Sequence, residues 1–318
     1  MKFKDEIDQD LQNKEVSRWW NHPRNIRWDN FYYSDENTDK FHVWTRMQKS
    51  LDYLDSLNLP KGSKVLELGF GGGQMANEIL SRGYKYCGID ISEQLCEAAK
   101  NRSLEYVEKD FASFQVGSIE EKYSFEDRYF DAVMVCGALQ YLGNPNNCFR
   151  EVNRVLKDDR HFIVCQSNMY SIRTWRYPRK AILSLVNFIV KDEFLVSPCF
   201  KSILTETKLR KYFLKYQDLN FMNSKFMIKG YDKWEFKIKK RLYSYSRLKN
   251  MLNSNGFKKE KVCGATFVFP KNNFFKSISS IWGSFIQALA DYRIIPYLFS
   301  FADNVVILSK KQKNINSI

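Results

Sequence analysis

Three glycines in alternate positions, Gly69, Gly71 and Gly73, follow the apolar run Val65-Leu-Glu-Leu and precede a helix-like stretch from Gln74 to Ser81. A backbone free of Cβ atoms turns tightly there and comes close to a ligand, and the first turn of the following helix offers N–H groups with no intrahelical acceptor. Alone, such a run also fits an ordinary strand-to-helix turn. Asp90 adds weight to the ligand reading: it ends the next apolar run, Gly88-Ile-Asp-Ile, seventeen positions after Gly73. A carboxylate at that place accepts both hydroxyls of a ribose in nucleotide-binding sheets. The glycines are spaced G-x-G-x-G rather than G-x-G-x-x-G, and Glu67 stands two positions before the first, a combination that disfavours hydride-transfer enzymes.

Strands and helices must alternate to hold these residues. Val65–Leu68, Tyr86–Asp90, Leu104–Val107, Phe130–Val135 and His161–Cys165 read as strands, and Gln74–Ser81, Glu93–Lys100 and Cys148–Leu156 as helices. Alternation of this kind predicts parallel pairing with right-handed crossovers, hence a Rossmann-like doubly wound α/β sheet of seven strands, six parallel and one antiparallel. Phe41, Trp44, Met47, Leu51 and Leu54 recur at helical spacing ahead of it. The expected organisation is an N-terminal helical lid over 1–60, a core over 61–166 and 241–318, and an inserted helical cap over 167–240. In the last part of the chain, Tyr245–Asn253 reads as a helix capped by Gly256, with strands at Val262–Phe269 and Asn304–Leu308.

Within this frame the chain resembles the class I S-adenosylmethionine-dependent methyltransferases over about Lys64–Gln166 and again over Tyr245–Lys310. Val65-Leu-Glu-Leu-Gly-Phe-Gly-Gly-Gly looks like their first motif, Gly88-Ile-Asp-Ile-Ser their second and Glu108-Lys-Asp-Phe their third. Phe130-Asp-Ala-Val-Met-Val-Cys-Gly-Ala-Leu-Gln-Tyr-Leu looks like the fourth, and Glu151-Val-Asn-Arg-Val-Leu-Lys the helix before their fifth strand. Two departures stand out: Phe70 where a cysteine is common, and Asp158-Asp-Arg in place of a Pro-Gly-Gly turn. The resemblance implies S-adenosyl-L-methionine as cofactor. It places Gly69, Gly71 and Gly73 along the methionine part, Glu67 near the ammonium, Asp90 on the ribose, Ile91 against the adenine, Asp110 on the adenine amino group, Phe111 beside it, and the Cys136 backbone on the methionine side. Arg46 either pairs with the cofactor carboxylate or belongs to a solvated helix face.

The acceptor side is less determined. Gln140 and Tyr141 follow the fourth strand at the edge where open α/β sheets bind ligands. Arg173 and Arg176, with Arg179, Lys180, Lys237, Lys239, Lys240 and Arg241 among Trp175, Tyr177, Trp234 and Phe236, suit a phosphate beside a sugar or apolar group. No side chain is singled out as the catalytic base; His22 and His42 fit packing or surface roles, and His161 a structural one.

Composition narrows the rest. The chain has 318 residues and a net charge of +14, but residues 1–160 carry 22 Lys and Arg against 27 Asp and Glu, and residues 161–318 carry 28 against 9. The basic half is expected to meet an anion or to serve as a solubilising surface. Cys87, Cys96, Cys136, Cys148, Cys165, Cys199 and Cys263 form no CxxC pair, so no metal site is expected and a reduced, cytoplasmic setting is. The charged first residues contain no signal-peptide core, and no apolar run has the ~20 residues of a membrane span. No nucleic-acid-binding module flanks the core, which argues against a nucleic-acid substrate. The apolar segment Phe274–Phe301 suits peripheral membrane contact or a partner subunit such as a second copy of the chain. The expected activity is methyl transfer to O or N of a small or medium-sized acceptor, a sugar or glycan precursor or another phosphorylated metabolite. The alternative is a catalytically silent cofactor-binding protein whose basic half binds nucleic acid or anionic membrane.

Overall fold

The computed structural model describes residues 8–22, 38–171, 221–225, 237–241, 243–267, 285–292 and 298–313. Seven strands form the central sheet: β1 (Lys64–Leu68), β2 (Lys85–Asp90), β3 (Ala112–Val116), β4 (Phe130–Cys136), β5 (Leu156–Ser167), β8 (Phe257–Ala265) and β9 (Asn304–Lys311), in the order β3-β2-β1-β4-β5-β9-β8. The first five pair in parallel, and β9 runs antiparallel to both β5 and β8. Six strands therefore point one way and one the other, as the sequence predicts. Separately, β6 (Phe221–Lys225) and β7 (Lys237–Arg241) pair antiparallel. They are the described part of the insertion expected as a helical cap; its apolar helical patches lie outside the described residues.

The central strands are apolar on both faces because helices cover both. One face buries Val65, Ile163 and Val306 under Met47, Leu51 and Leu54 of α2 (Thr38–Asp55) and Met75, Ala76 and Ile79 of α3 (Gln74–Ser81). The other buries Leu66, Val133, Val164 and Ile307 under residues of α6 (Pro145–Val155) and α7 (Tyr245–Ser254), among them Phe149, Val152, Leu248 and Leu252. The chain winds outward from β1 to β3 and returns to the far side of β1 with β4. The carboxyl ends of β1 and β4 therefore bound the crevice at which the strand order reverses, the place where such sheets bind ligands.

The third strand differs from the sequence expectation. Leu104-Glu-Tyr-Val begins α5 (Leu104–Glu108), which follows directly on α4 (Glu93–Arg102) through Ser103, and the strand is Ala112–Val116. A four-residue apolar run does not distinguish strand from helix, and Leu104 is half exposed. The alternation of buried Ala112 and Phe114 with exposed Ser113 is the sheet signal.

The acidic turn into β5 also has a structural answer. Asp158 pairs with Lys311 at 2.9 Å and Arg128 at 3.1 Å, and Asp159 with Lys313 at 3.0 Å. The charged end of β9 thus holds the irregular start of β5, where Asp158-Asp-Arg stands. Lys311 is buried, and its ammonium also donates to the Leu156 carbonyl at 2.8 Å. Lys311→Ala leaves that acceptor unpaired and is expected to lower the unfolding free energy by about 1–3 kcal/mol. The check is a reduced urea midpoint at unchanged slope; an unaltered midpoint contradicts the anchor.

Candidate functional site

The glycine turn after β1 is shaped by two close approaches. Gly69, Gly71 and Gly73 all adopt positive φ, +71°, +58° and +80°. A Cβ on Gly69 would stand 2.4 Å from the Ala138 Cβ in the turn after β4, and one on Gly73 would stand 2.7 Å from the Ala99 Cβ of α4. The outer glycines therefore serve packing. A Cβ on Gly71 would meet nothing within 4 Å, so the middle glycine faces open space. Arg102 donates to the Gly72 carbonyl and ties the turn to the end of α4.

Asp90 ends β2 beside this turn. Its carboxylate accepts from the Gly71 N–H at 2.9 Å and the Ser92 N–H at 2.9 Å. Burial raises its pKa, and the backbone donors at Ser92, Gly71 and Ile91 work in the opposite direction. Of its roughly four lone-pair sites these three donors take three, which leaves acceptor capacity for a ligand hydroxyl. Beneath it lies Glu67, 2% exposed, which accepts from the Tyr86 hydroxyl at 2.8 Å. Gly88 makes room for this pair and for Phe70, since its Cβ would stand 2.5 Å from the Phe70 ring and 2.8 Å from the Tyr86 oxygen. Phe70, the departure from the family pattern, packs edge-on against Phe114 at 5.2 Å and belongs to the core.

Across the crevice, Cys136 ends β4 and the Arg46 guanidinium of α2 lies against Gly137, 3.1 Å from where a Cβ would project. Gln140 turns back, its amide donating to the Gly137 carbonyl at 3.0 Å. The Tyr141 ring meets Trp20 edge-on at 5.8 Å, and burial pushes its hydroxyl well above the usual phenol value. Both residues sit at the expected edge.

Over this edge runs α1 (Gln9–Trp20), capped by Asp8. Its Gln9 accepts from Asn147 at 3.2 Å and its Gln12 donates to the Tyr141 carbonyl at 2.8 Å. At the other end Ser17 reaches the Ile91 carbonyl at 3.4 Å, and the Asn21 side chain accepts from the Ser92 hydroxyl at 2.8 Å. Val16, Trp19 and Trp20 of its second half pack with Ile91, Tyr141 and Ile238 of β7. The helix covers the crevice from the β4 side to the β2 side.

Two expectations are corrected. Asp110 and Phe111 precede β3, and the Phe111 carbonyl accepts from the N–H of Tyr86 near the start of β2, so both lie at the amino edge of the sheet, opposite Asp90. The position beside Asp90 at the carboxyl end of β3 belongs to Val116, Gly117 and Ser118, with the Gly117 N–H donating to the Asp90 carbonyl at 2.9 Å. The displacement follows from the misplaced third strand; the Ala112-Ser-Phe-Gln-Val alternation, ending at Gly117, was the available signal. Arg241 is the second correction. It is buried and donates to the carbonyls of Leu142 at 3.0 Å and Gly143, whose N–H Glu120 accepts, so it fixes the turn before α6 instead of offering a cation to phosphate.

Arg173 and Arg176 lie outside the described residues, as does the His42 side chain. His22 is buried beside the end of α1, and His161 bonds Glu260 at 3.1 Å in the amino half of β5. Among the described residues no cluster of His, Cys, Asp and Glu could hold a metal ion, and no helix is long and apolar enough to cross a membrane.

The buried Glu67 makes stability depend on pH. Burial pushes its pKa from 4.5 up to about 8, against the lowering effect of the Tyr86 hydroxyl. The folded chain holds a proton that the unfolded chain has released, so this contribution is complete below pH 4.5 and is lost as pH rises toward 8. The slope is up to ~1.4 kcal/mol per pH unit. Unfolding free energies measured from pH 5 to 8 should fall more steeply for the unliganded wild type than for Glu67→Gln; parallel profiles would refute the protonated state.

Residues 66–164 match a family described as a methyltransferase domain. Among curated proteins, the chain is 28% identical over 233 residues to an uncharacterized protein of Methanocaldococcus jannaschii, covering 73% of this chain and 74% of that one. It is 30% identical over 119 residues to the ubiquinone biosynthesis O-methyltransferase of Alkalilimnicola ehrlichii, covering 37% of this chain and 47% of that protein, so less than half of this relative is spanned. Among solved structures, magnesium protoporphyrin IX methyltransferase of Synechocystis PCC 6803, with bound SAH, superposes with a TM-score of 0.54 at 12% identity, over 95% of this chain and 100% of that one. Fold, glycine turn and matched domain agree: residues 66–164 are similar to a methyltransferase domain, and the chain has the fold of the class I S-adenosylmethionine-dependent methyltransferases.

Proposed function

We propose that the chain moves a methyl group from S-adenosylmethionine to O or N of a small or medium-sized acceptor, a sugar or glycan precursor or another phosphorylated metabolite. The observation that carries this reading is the convergence of Gly71, Asp90 and Glu67 on the switch-point crevice under α1. The fit to the cofactor rests on the open space in front of Gly71 and on the spare acceptor capacity of Asp90. The similarity to a ubiquinone biosynthesis O-methyltransferase supports oxygen as the accepting atom.

When bound, S-adenosylmethionine supplies a methyl carbon already activated by a sulfonium. The chain's part is then positional, since in-line displacement is accelerated chiefly by alignment and exclusion of water. Asp90 accepts a ribose hydroxyl while its bonds to Gly71 and Ser92 fix its rotamer. Glu67 and Arg46 offer opposite charges on the two sides of the methionine end. Trp19, Trp20 and Tyr141 give an apolar roof that keeps water from the reacting atoms and leaves a flat surface for the acceptor. Gln140 and Tyr141 border the acceptor, and Arg173 and Arg176 remain the proposed contacts for its phosphate.

The general reading is tested by methyl incorporation from labelled cofactor into a panel of sugars, sugar phosphates and phenols; no transfer to any of them, with tight cofactor binding retained, would favour the silent binding protein. For the site itself, Asp90→Ala is expected to weaken S-adenosylhomocysteine binding roughly 10- to 100-fold, the worth of one charge-assisted hydrogen bond. Equal affinity by calorimetry would sink the ribose assignment. Gly71→Ala should cost only about 1–2 kcal/mol of stability through its positive φ yet block cofactor binding. Gly69→Ala should unfold more readily, because its methyl group has no room beside Ala138.

A further inference from the structure

Two thiols lie side by side at the rim of this pocket. In the parallel pairing of β4 and β5, Cys136 stands opposite Cys165, and both are free cysteines. The paired residues face the same side of the sheet and pack in one cluster with Met47, Leu51 and Leu54 of α2. The Gly137 N–H donates to the Cys165 carbonyl at 2.8 Å, which holds the two strand ends in register. Neighbouring strands run roughly 4.8 Å apart, inside the ~4.4–6.8 Å range of Cα separations that a disulfide bridges.

The pair is chemically unequal. Cys136 is partly exposed and lies beside the Arg46 guanidinium, and its thiol is lowered to about 7 by the Cys165 hydrogen bond and that cation. Cys165 is wholly enclosed, and its thiol is pushed well above the usual range by its partner and by burial. A thiolate-prone, reachable sulfur next to a second thiol has the arrangement of an attacking and a resolving cysteine. The other described cysteines lack it: burial pushes Cys148 up to about 12 and Cys263 up to about 11.

We propose that Cys136 and Cys165 form a reversible redox modification site that accepts low-molecular-weight disulfides of the glutathione disulfide class and that closing it weakens cofactor binding. The Cys136 thiolate attacks one sulfur of the external disulfide, forming a mixed disulfide and releasing one thiolate. The Cys165 thiol then attacks the Cys136 sulfur, the Cys136–Cys165 bond forms, and the second small thiol leaves with the Cys165 proton. Two protein thiols are oxidised and one external disulfide is reduced to two thiols.

The effect on the pocket follows from what hangs on Cys136. Gly137 begins the turn on which the Arg46 guanidinium rests, and Gln140 bonds its carbonyl. Drawing the two sulfurs to ~2.05 Å pulls this turn toward β5 and away from Gly69. This consequence rests on the reading of the Gly137 edge as the methionine end of the cofactor pocket; the disulfide chemistry does not.

The test incubates the full chain with glutathione disulfide, maps peptides without reduction, and measures S-adenosylhomocysteine affinity by calorimetry before oxidation, after it, and after dithiothreitol. A Cys136–Cys165 disulfide with at least tenfold weaker binding, restored by reductant, is the expected result. Cys165→Ser should stop at the mixed disulfide on Cys136 and, when reduced, bind within about twofold of the wild type. Mixed disulfide on wild-type Cys136 that never resolves overturns the pair. A mapped disulfide with unchanged affinity overturns the control of binding while leaving the cofactor site intact, and absence of binding before oxidation would instead fault the reading of the pocket.

Discussion

The reversal of strand order between β1 and β4 brings two chain exits to the same point, and the structure depends on their fitting together. Gly69 leaves β1 and Ala138 follows β4 with less than a methyl group's room between them. A side chain at 69 would push the turns apart; without one, the first glycine locks the crevice and the second faces into it. Gly71 then presents its N–H to Asp90, and the carboxylate reaches on to Ser92. One missing Cβ thus couples β1, β2 and β4 at the edge where the ligand is held.

Two buried carboxylates stand within this small volume, and they are stabilised differently. Asp90 is surrounded by backbone donors, which favour its charged form against desolvation. Glu67 accepts from the Tyr86 phenol, and desolvation dominates, so the free chain keeps it protonated near neutral pH. A cationic group arriving beside Glu67 shifts that balance toward the carboxylate, whereas a neutral ligand does not. The difference gives the methionine end of the pocket a preference for positive charge that Asp90 alone would not provide.

Much of this was legible in the sequence because the central strands and their exits carry local signals. Gly69, Gly71, Gly73 and Asp90 fall where the glycine spacing and the strand ends put them, and the six-plus-one strand directions follow from the alternation. The third strand was misplaced because Leu104 and Val107 satisfy a helix as readily as a strand, and the error carried Asp110 and Phe111 to the wrong edge. Arg241 looked like a free cation because sequence does not show that a ladder strand buries it against two carbonyls. The cover formed by α1 was legible as an N-terminal helical lid, but the residues it meets were not. Its function depends on contacts with Ile91, Tyr141 and Asn147, some 70 to 140 residues away along the chain.

That cover has a particular energetic character. Its side chains bond to Asn147 and Tyr141 on one side and to Ile91 and Ser92 on the other, and Val16, Trp19 and Trp20 supply apolar contact. Its apolar residues form a cluster separate from the main core, which α2 enters with Met47, Leu51 and Leu54. Because the two belong to separate clusters, the cover can part from the sheet edge while the edge itself, locked at Gly69 and Ala138, stays in place. Holding the rigid carboxylates in the sheet and the water-excluding aromatics on the cover reconciles two conflicting demands: fixed geometry around the cofactor and free passage for an acceptor.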